Sequence, residues 1–358
     1  MLRLIKSEKF TLAALAVALI AFPLEHVLTG SGQMVALIAA IALVATIVLA
    51  AVRVAHHAEV LAEKVGEPYG TMILTLAAVL VEVVILIIVT GHTHSTTLAR
   101  DTIYSAVMLD INGILGISAI LGGLRFGEQP YNVDSGNTYI VMIISAVGGA
   151  MIIPAFLGPE HQFAYAIFSV IGLAFLYTIF LRLQTTRHSY FFSYNYAETG
   201  STEHAHPGKT TTSAILLLAG VGLIGLLAEV MAGTMDTGLK GTGVPPGVAA
   251  IVVAGISASP EILTAVRAAL SNRMQPVVNI ALGASLSTVI LTVPIILVIG
   301  LFSGHAPVMA LTPVQIAMVA LTAVAAAINL HDGETNAIEG STHFFLFAAF
   351  LVLTALGV

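Results

Sequence analysis

Eleven apolar stretches, parted by Gly, Pro, His and charged residues, dominate this chain of 358 residues. A bilayer core about 30 Å thick is crossed by about 20 apolar residues in a helix, and lipid accepts only backbones that satisfy their polar groups internally. The stretches run approximately over 10–28, 34–54, 70–90, 102–124, 139–157, 163–183, 212–231, 247–266, 277–301, 313–328 and 343–356. They predict an all-α polytopic membrane protein of about 11 transmembrane helices. Composition agrees, since 9% of residues are charged where a soluble domain has roughly a quarter. The net charge of −6 leaves no basic surplus for a nucleic-acid backbone, which is excluded as a partner. Zero cysteines exclude disulfides, thiol nucleophiles and Cys-based metal centres. The first stretch ends in Pro-Leu-Glu-His-Val without a small-x-small cleavage site and is read as an anchor, not a cleaved signal.

Orientation follows from Lys and Arg, because cytoplasmic loops hold the positive excess. With the N-terminus inside, the inner face takes Arg3, Lys6, Lys9, Arg53, Lys64, Arg125, Arg182, Arg187, Lys209, Arg267 and Arg273. The outer face keeps Arg100 and Lys240, a bias of eleven against two that places the N-terminus in the cytoplasm and the C-terminus outside. A polar segment at 184–211, with Glu198, Glu203, His188, His204 and His206, divides the chain near its middle on the inner side.

The halves on either side answer each other. Ala58-Glu59-Val60 recurs as Ala228-Glu229-Val230, and Gly66-Glu67-Pro68-Tyr69-Gly70 as Gly243-Val244-Pro245-Pro246-Gly247. Each glycine-proline element opens an apolar stretch with one deep acid, Glu82 on the third and Glu261 on the eighth. An offset of five spans is odd, so the copies run oppositely through the membrane, as in the inverted repeats of secondary transporters with a midplane substrate site. The expected organisation is an N-terminal helix (1–30), a five-helix repeat (31–183), the polar linker (184–211) and a second five-helix repeat (212–358).

Among the acids, Glu82, Asp110 and Glu261 fall deep within apolar stretches. A mid-bilayer carboxylate costs at least about 2.5–3.5 kcal/mol, and no Lys or Arg stands at matching depth, so these groups must be neutralised by protons, by a bound cation, or by each in turn. Glu82 and Glu261 are therefore the expected proton-coupling residues. Two carboxylates offer up to four oxygens, which suits Ca²⁺ with its six to eight oxygen ligands. Further ligands are expected from the carbonyl of Ile256, which the missing N–H of Pro260 frees, and from Ser257 beside it. The fourth and ninth stretches add Asp110 with Asn112, and Ser285 with Ser287 and Thr288. The expected metal ligands are thus Glu82, Glu261, Asp110, Asn112, Ile256, Ser257 and Ser285.

Other polar groups read as peripheral. Glu25 with His26, and Glu229 with Asp236, fall near the outer interface, while Glu59, Glu63 and Glu67 line the inner approach to the third span. The pairs His92/His94 and His204/His206 stand in loops without acid partners at ligand spacing, and His343 opens the last span. No zinc-protease, nucleophile-elbow or phosphate-loop motif is present, so no catalytic residue is assigned.

The stretches GEPYGTMILTLAAVLVEV, SPEILTAVRAALSNRMQPVVNIALGASLSTVILTVP and GETNAIEGSTHFFLFAAF together resemble the bacterial ChaA-type branch of the Ca²⁺/cation antiporter superfamily, in order over essentially the whole chain. The resemblance implies one N-terminal helix plus two inverted five-helix repeats, with Glu82 and Glu261 as central cation and proton ligands. It implies exchange of Ca²⁺, or of Na⁺ or K⁺, for H⁺ in the bacterial inner membrane. The residues before the two glutamates, Ala78-Val79-Leu80-Val81 and Ala258-Ser259-Pro260, lack the Asn and Thr of the superfamily motif. That loss of oxygens makes a monovalent-selective antiporter the alternative. A cation channel is a second alternative, and an intramembrane hydrolase built on Asp110 and a glutamate a third. The third span has no Gly or Pro between Thr71 and Thr90, so a kink near Glu82 is expected from Thr75 or from packing. No resident cofactor is expected, because the ions are cargo. Membrane lipid, the transported cations and protons are the expected partners, and a homo-oligomer is compatible with the sequence.

Overall fold

The computed structural model describes residues 8–66, 69–93, 95–186, 189–194, 210–303 and 307–358. The described chain is helical almost throughout: α1 (Lys9–Ala21), α2 (Glu25–Gly30), α3 (Gln33–Val65), α4 (Tyr69–Thr93), α5 (Leu98–Phe126), α6 (Val133–Phe156), α7 (Pro159–Thr185), α8 (Thr210–Leu239), α9 (Gly247–Ser257), α10 (Ser259–Leu270), α11 (Met274–Ser303), α12 (Pro313–Asn329) and α13 (Ala337–Ala355). Two residues each form β1 (Gln129–Pro130) and β2 (Glu334–Thr335), paired antiparallel with Gln129 opposite Thr335. Among the described residues, eight helices are long and apolar enough to cross a membrane alone, and α9 with α10 make a ninth as a pair bent by 58°. The first and tenth expected stretches correspond to the shorter apolar helices α1 and α12.

Local chemistry sets the boundaries. Gly66 and Gly127 end α3 and α5 with φ of 77° and 81°, a left-handed conformation that costs glycine little. Pro313 opens α12 behind a Thr312/Gln315 capping box, and the Asn132 and Asn336 side chains cap α6 and α13. The last helix starts at Ala337, six residues before the sequence pattern places it. Its first turns, Ala-Ile-Glu-Gly-Ser-Thr, are polar enough to read as loop, yet Asn336 accepts from the backbone N–H groups of Ile338 and Glu339 and nucleates the helix there. Of the paired glycine-proline elements, Gly66 and Gly243 share a φ of 77°, while Glu67 and Pro68 lie outside the described residues. Also outside them are Arg3, Lys6, His94, Arg187, His188 and 195–209, which hold most of the polar linker with Glu198, Glu203, His204, His206 and Lys209.

The chain packs as two compact units, one of Met1–Leu98 with Ala205–Pro260, the other of Ala99–His204 with Glu261–Leu356. Each unit draws on both halves of the sequence. The packing units therefore cut the chain differently from the expected repeats, which describe order along it.

In the first unit α8 lies along α3. Lipid gives helices no hydrophobic reason to associate, so close backbone approach through small residues carries the packing. A Cβ on Gly220 would stand 2.6 Å from Val54, and one on Gly238 would stand 2.9 Å from the backbone of Leu37. Ile47, Ile85, Ile224 and Leu227 fill the core between α3, α4 and α8. The Gln33 amide donates to the carbonyls of Gly238 and Lys240 at 3.2 and 2.8 Å, satisfying the end of α8.

The second unit contains α5–α7, α10 from Glu261 onward, α11–α13, and the β1–β2 pair. Three of its helices each contain a π turn, over Leu109–Ile114, Gly148–Ile152 and Thr288–Thr292. Such turns insert one residue and re-aim the side chains around it, and they concentrate at functional sites. Where α13 crosses α5, Gly116 and Gly340 leave no room for a Cβ, with backbone atoms at 2.9 and 2.6 Å from where one would sit.

Candidate functional site

Glu82 stands in the middle of α4, buried to 3% exposure, beside Val81 and Ile85 of the first unit's core. The helix runs unbroken over Tyr69–Thr93. No break in the helix falls near Glu82, consistent with a run that offers neither Gly nor Pro to open the backbone ladder.

The eighth stretch does break. α9 ends at Ser257, Ala258 takes φ −79° and ψ −3°, and α10 begins at Ser259 with Pro260 in its first turn. Where the sequence pattern runs this stretch through Glu261 as one span, Glu261 occupies the first turn of a new helix. A carboxylate there is favoured by the positive end of the helix dipole, and the carbonyls ending α9 carry the negative end. The Ile256 carbonyl accepts from the Ser259 hydroxyl at 2.7 Å, and the Ser257 hydroxyl donates to Ala254 at 3.0 Å. The Ser257 hydroxyl oxygen keeps acceptor capacity, whereas the Ile256 carbonyl also takes the Ala258 backbone N–H.

Asp110, Asn112 and Ser285 come together in the second unit. Asp110 and Asn112 occupy the π turn of α5, with exposures of 2% and 0%. The Ser285 hydroxyl of α11 donates to Asp110 Oδ2 at 3.3 Å. Asn112 Nδ2 donates to Thr322 Oγ1 of α12 at 2.7 Å and contacts Met108 Sδ at 3.6 Å, while Asn112 Oδ1 lies 3.0 Å from His343 Nδ1 of α13. His343 does not open the last span as expected; it is the seventh residue of α13 and 2% exposed. Thr288 and Thr292, both buried, lie in the π turn of α11. The Ser287 hydroxyl donates to its own helix at Gly283, 2.7 Å away.

Two polar contacts escape the sequence pattern. His92, read as lacking an acid partner, places Nε2 2.9 Å from Glu229 Oε1 across 137 residues, a pairing that local spacing cannot reveal. At the other end of the first unit, Glu8 accepts from Arg53 and from Thr11, with His57 Nε2 at 3.3 Å. Burial by itself would raise the Glu8 carboxyl; the Arg53 guanidinium, the Thr11 hydroxyl and His57 outweigh it and hold the group below its ordinary value. Among the described residues no three His, Asp or Glu side chains gather as a preformed metal cluster. Oxygen chemistry here rests on single carboxylates supplemented by hydroxyls, carboxamides and carbonyls.

The family described as Sodium/calcium exchanger protein matches residues 35–186 and 212–356. The sodium-potassium/proton antiporter ChaA of Escherichia coli (strain K12) is 32% identical over 336 residues, 91% of either chain. The Ca²⁺/H⁺ antiporter ChaA of Bacillus subtilis (strain 168) is 23% identical over 264 residues, 72% of this chain and 74% of the relative. Among solved structures, native YfkE superposes with a TM-score of 0.74 at 17% identity, covering 93% of this chain and 99% of its own. The H⁺/Ca²⁺ exchanger CAX gives a TM-score of 0.60 at 16% identity, covering 96% and 88%. With the apolar helices already described, these likenesses show that the chain belongs to the sodium/calcium exchanger family and is a membrane-embedded secondary transporter of cations, an antiporter and not an enzyme.

Proposed function

We propose that this antiporter exports Ca²⁺ in exchange for H⁺ by alternating access, with Glu82 and Glu261 each alternating between a protonated and a cation-bound state. The observation that carries the reading is Glu82, a carboxylate 3% exposed in the middle of an unbroken apolar helix that holds no Lys or Arg. A group so placed is costly unless a proton or a cation neutralises it, and exchanging one for the other couples the two fluxes. Other oxygens are available in each unit by itself, from the Asp110 carboxylate and the Ser285 hydroxyl in the second and from Ser257 and the Ile256 carbonyl in the first, and such donors suit a hard cation better than a transition metal. The protein needs no cofactor beyond its cargo. The two five-helix repeats, 31–183 and 212–358, exchange access between the faces. The Lys and Arg bias supports an inner-membrane location with the N-terminus cytoplasmic and the C-terminus outside.

A monovalent-selective Na⁺ or K⁺/H⁺ antiporter is the second reading. It is favoured by Ala78-Val79-Leu80-Val81 ahead of Glu82, which offers no side-chain oxygen, and by the Escherichia coli relative whose name specifies sodium and potassium. Everted membrane vesicles separate the readings. Cation uptake driven by an imposed pH gradient is measured with Ca²⁺, Na⁺ and K⁺ in turn, for the parent and for Glu82→Gln and Glu261→Gln. The proposal expects proton-linked uptake that both substitutions abolish. Full activity in either variant removes that residue from the mechanism, and uptake indifferent to the pH gradient points to a channel.

A further inference from the structure

We propose that His343 is a positioning residue of the ion path: through Asn112 it holds the π turn of α5 in the geometry that keeps Asp110 beside Ser285. The inference rests on the proposed role of Asp110 in transport.

The Asn112 amide faces two partners. Its Nδ2 donates to Thr322 Oγ1 at 2.7 Å, and the Thr322 hydroxyl points its own proton at Met108 Sδ, 3.7 Å away. Asn112 Oδ1 is therefore the acceptor on the other side, and His343 Nδ1, 3.0 Å from it, carries the hydrogen. The opposite amide orientation would leave Nε2–H as a buried donor, since His343 Nε2 has no hydrogen-bond partner and the residue is 2% exposed. A buried orphan N–H is rarer and costlier than an under-used acceptor. His343 is thus the neutral Nδ1–H tautomer, and its hydrogen bond does one job, which is to fix the carboxamide.

The fold goes out of its way to make that bond. The buried face of α13 is Gly340, His343 and Phe350, a position where packing alone would be served by leucine. Gly116 and Gly340 bring α13 so close to α5 that a Cβ on Gly116 would lie 3.2 Å from the Cβ of His343. Asn112 is then clamped between α12 and α13. The π turn closes with Leu115 N–H on the Asp110 carbonyl, and relaxing it to α geometry would rotate the following residues by about 100° around the helix. That rotation would pull Asn112 from both partners, so the clamp holds the wide turn and with it the 3.3 Å contact of Asp110 with Ser285.

The test is proton-driven uptake by the purified full chain in proteoliposomes, with Ca²⁺, Na⁺ and K⁺ tried in turn and KM and Vmax separated. His343→Leu should raise KM about fivefold or more, the equivalent of one buried hydrogen bond, with Vmax little changed. His343→Asn places an amide N–H where Nδ1–H stood and should return KM to within about twofold of the parent. Thr322→Val, which removes the other side of the clamp with little change of shape, should shift KM as His343→Leu does, and it carries the test if the leucine variant fails to fold. Parental KM in His343→Leu, or an asparagine variant as impaired as the leucine one, overturns the positioning role. Asp110→Asn is run alongside: if it loses transport while His343→Leu does not, this inference falls alone, and if it transports normally, the reading of Asp110 falls with it.

Discussion

Gly340→Ala adds one methyl where α13 crosses α5, a crossing too tight to absorb it. The new Cβ would lie 2.6 Å from the backbone nitrogen of Ile120 and 2.7 Å from the carbonyl of Gly116, atoms that belong to a helix and cannot swing aside. Ordinary contact begins at 3.4 Å, so the helices must part by about 0.8 Å. At His343, one turn along, the same displacement stretches the 3.0 Å bond to Asn112 to about 3.8 Å, beyond hydrogen-bond length. Overpacking of this kind costs about 1–3 kcal/mol, and the lost buried hydrogen bond about 1 kcal/mol more. The helix preference of alanine over glycine returns at most about 1 kcal/mol, leaving a net loss of about 1–3 kcal/mol. Gly172 in α7 has nothing within 4 Å of its notional Cβ, so Gly172→Ala should show the favourable helix term alone. The assay is the temperature at which detergent-purified protein loses its monodisperse size-exclusion peak, with Gly340→Ala below the parent and Gly172→Ala at or above it. A Gly340→Ala midpoint matching that of Gly172→Ala would refute the close-crossing argument and remove the support it gives to the His343 contact.

The first unit supplies two further tests. Glu8→Gln should lower stability by about 1–3 kcal/mol at neutral pH, because Arg53 and His57 lose their carboxylate. A carboxyl held below its ordinary value contributes fully above the unfolded value of about 4.3 and loses that contribution as pH falls through its lower folded value, so the thermal midpoints of parent and variant should converge as the pH is taken down through that acid range. Glu229→Gln, by contrast, perturbs a pair whose side chains are 29% and 43% exposed and should change the midpoint by less than about 1 kcal/mol in equivalent stability.

The features legible in the sequence were those that act locally. The apolar runs came out helical, with the first and the eighth each split in two, because composition over about twenty residues favours a spanning helix but does not place its breaks. Glu82 and Asp110 stood out because an acid in such a run is rare, and both are buried. The break in the eighth stretch was half legible: Pro260 marked a carbonyl freed at Ile256, but the break falls at Ala258, between those two residues. The π turns carry no residue signature. The partners of Asn112, Thr322 and His343, lie 210 and 231 residues away, and only the folded second unit brings them to it. His343 was misplaced because Asn336, three residues beyond the turn at Gly333, caps a helix whose polar opening looked like loop.

The central claim is that a cation and a proton compete for the same two carboxylates, Glu82 and Glu261. Its most direct test is the pH of a weakly buffered solution of purified protein as Ca²⁺, then Na⁺ and K⁺, are added. The account predicts proton release that saturates with cation binding and is reduced in Glu82→Gln and in Glu261→Gln. Saturable cation binding that releases no proton in the parent, or the same release in both variants, would contradict it.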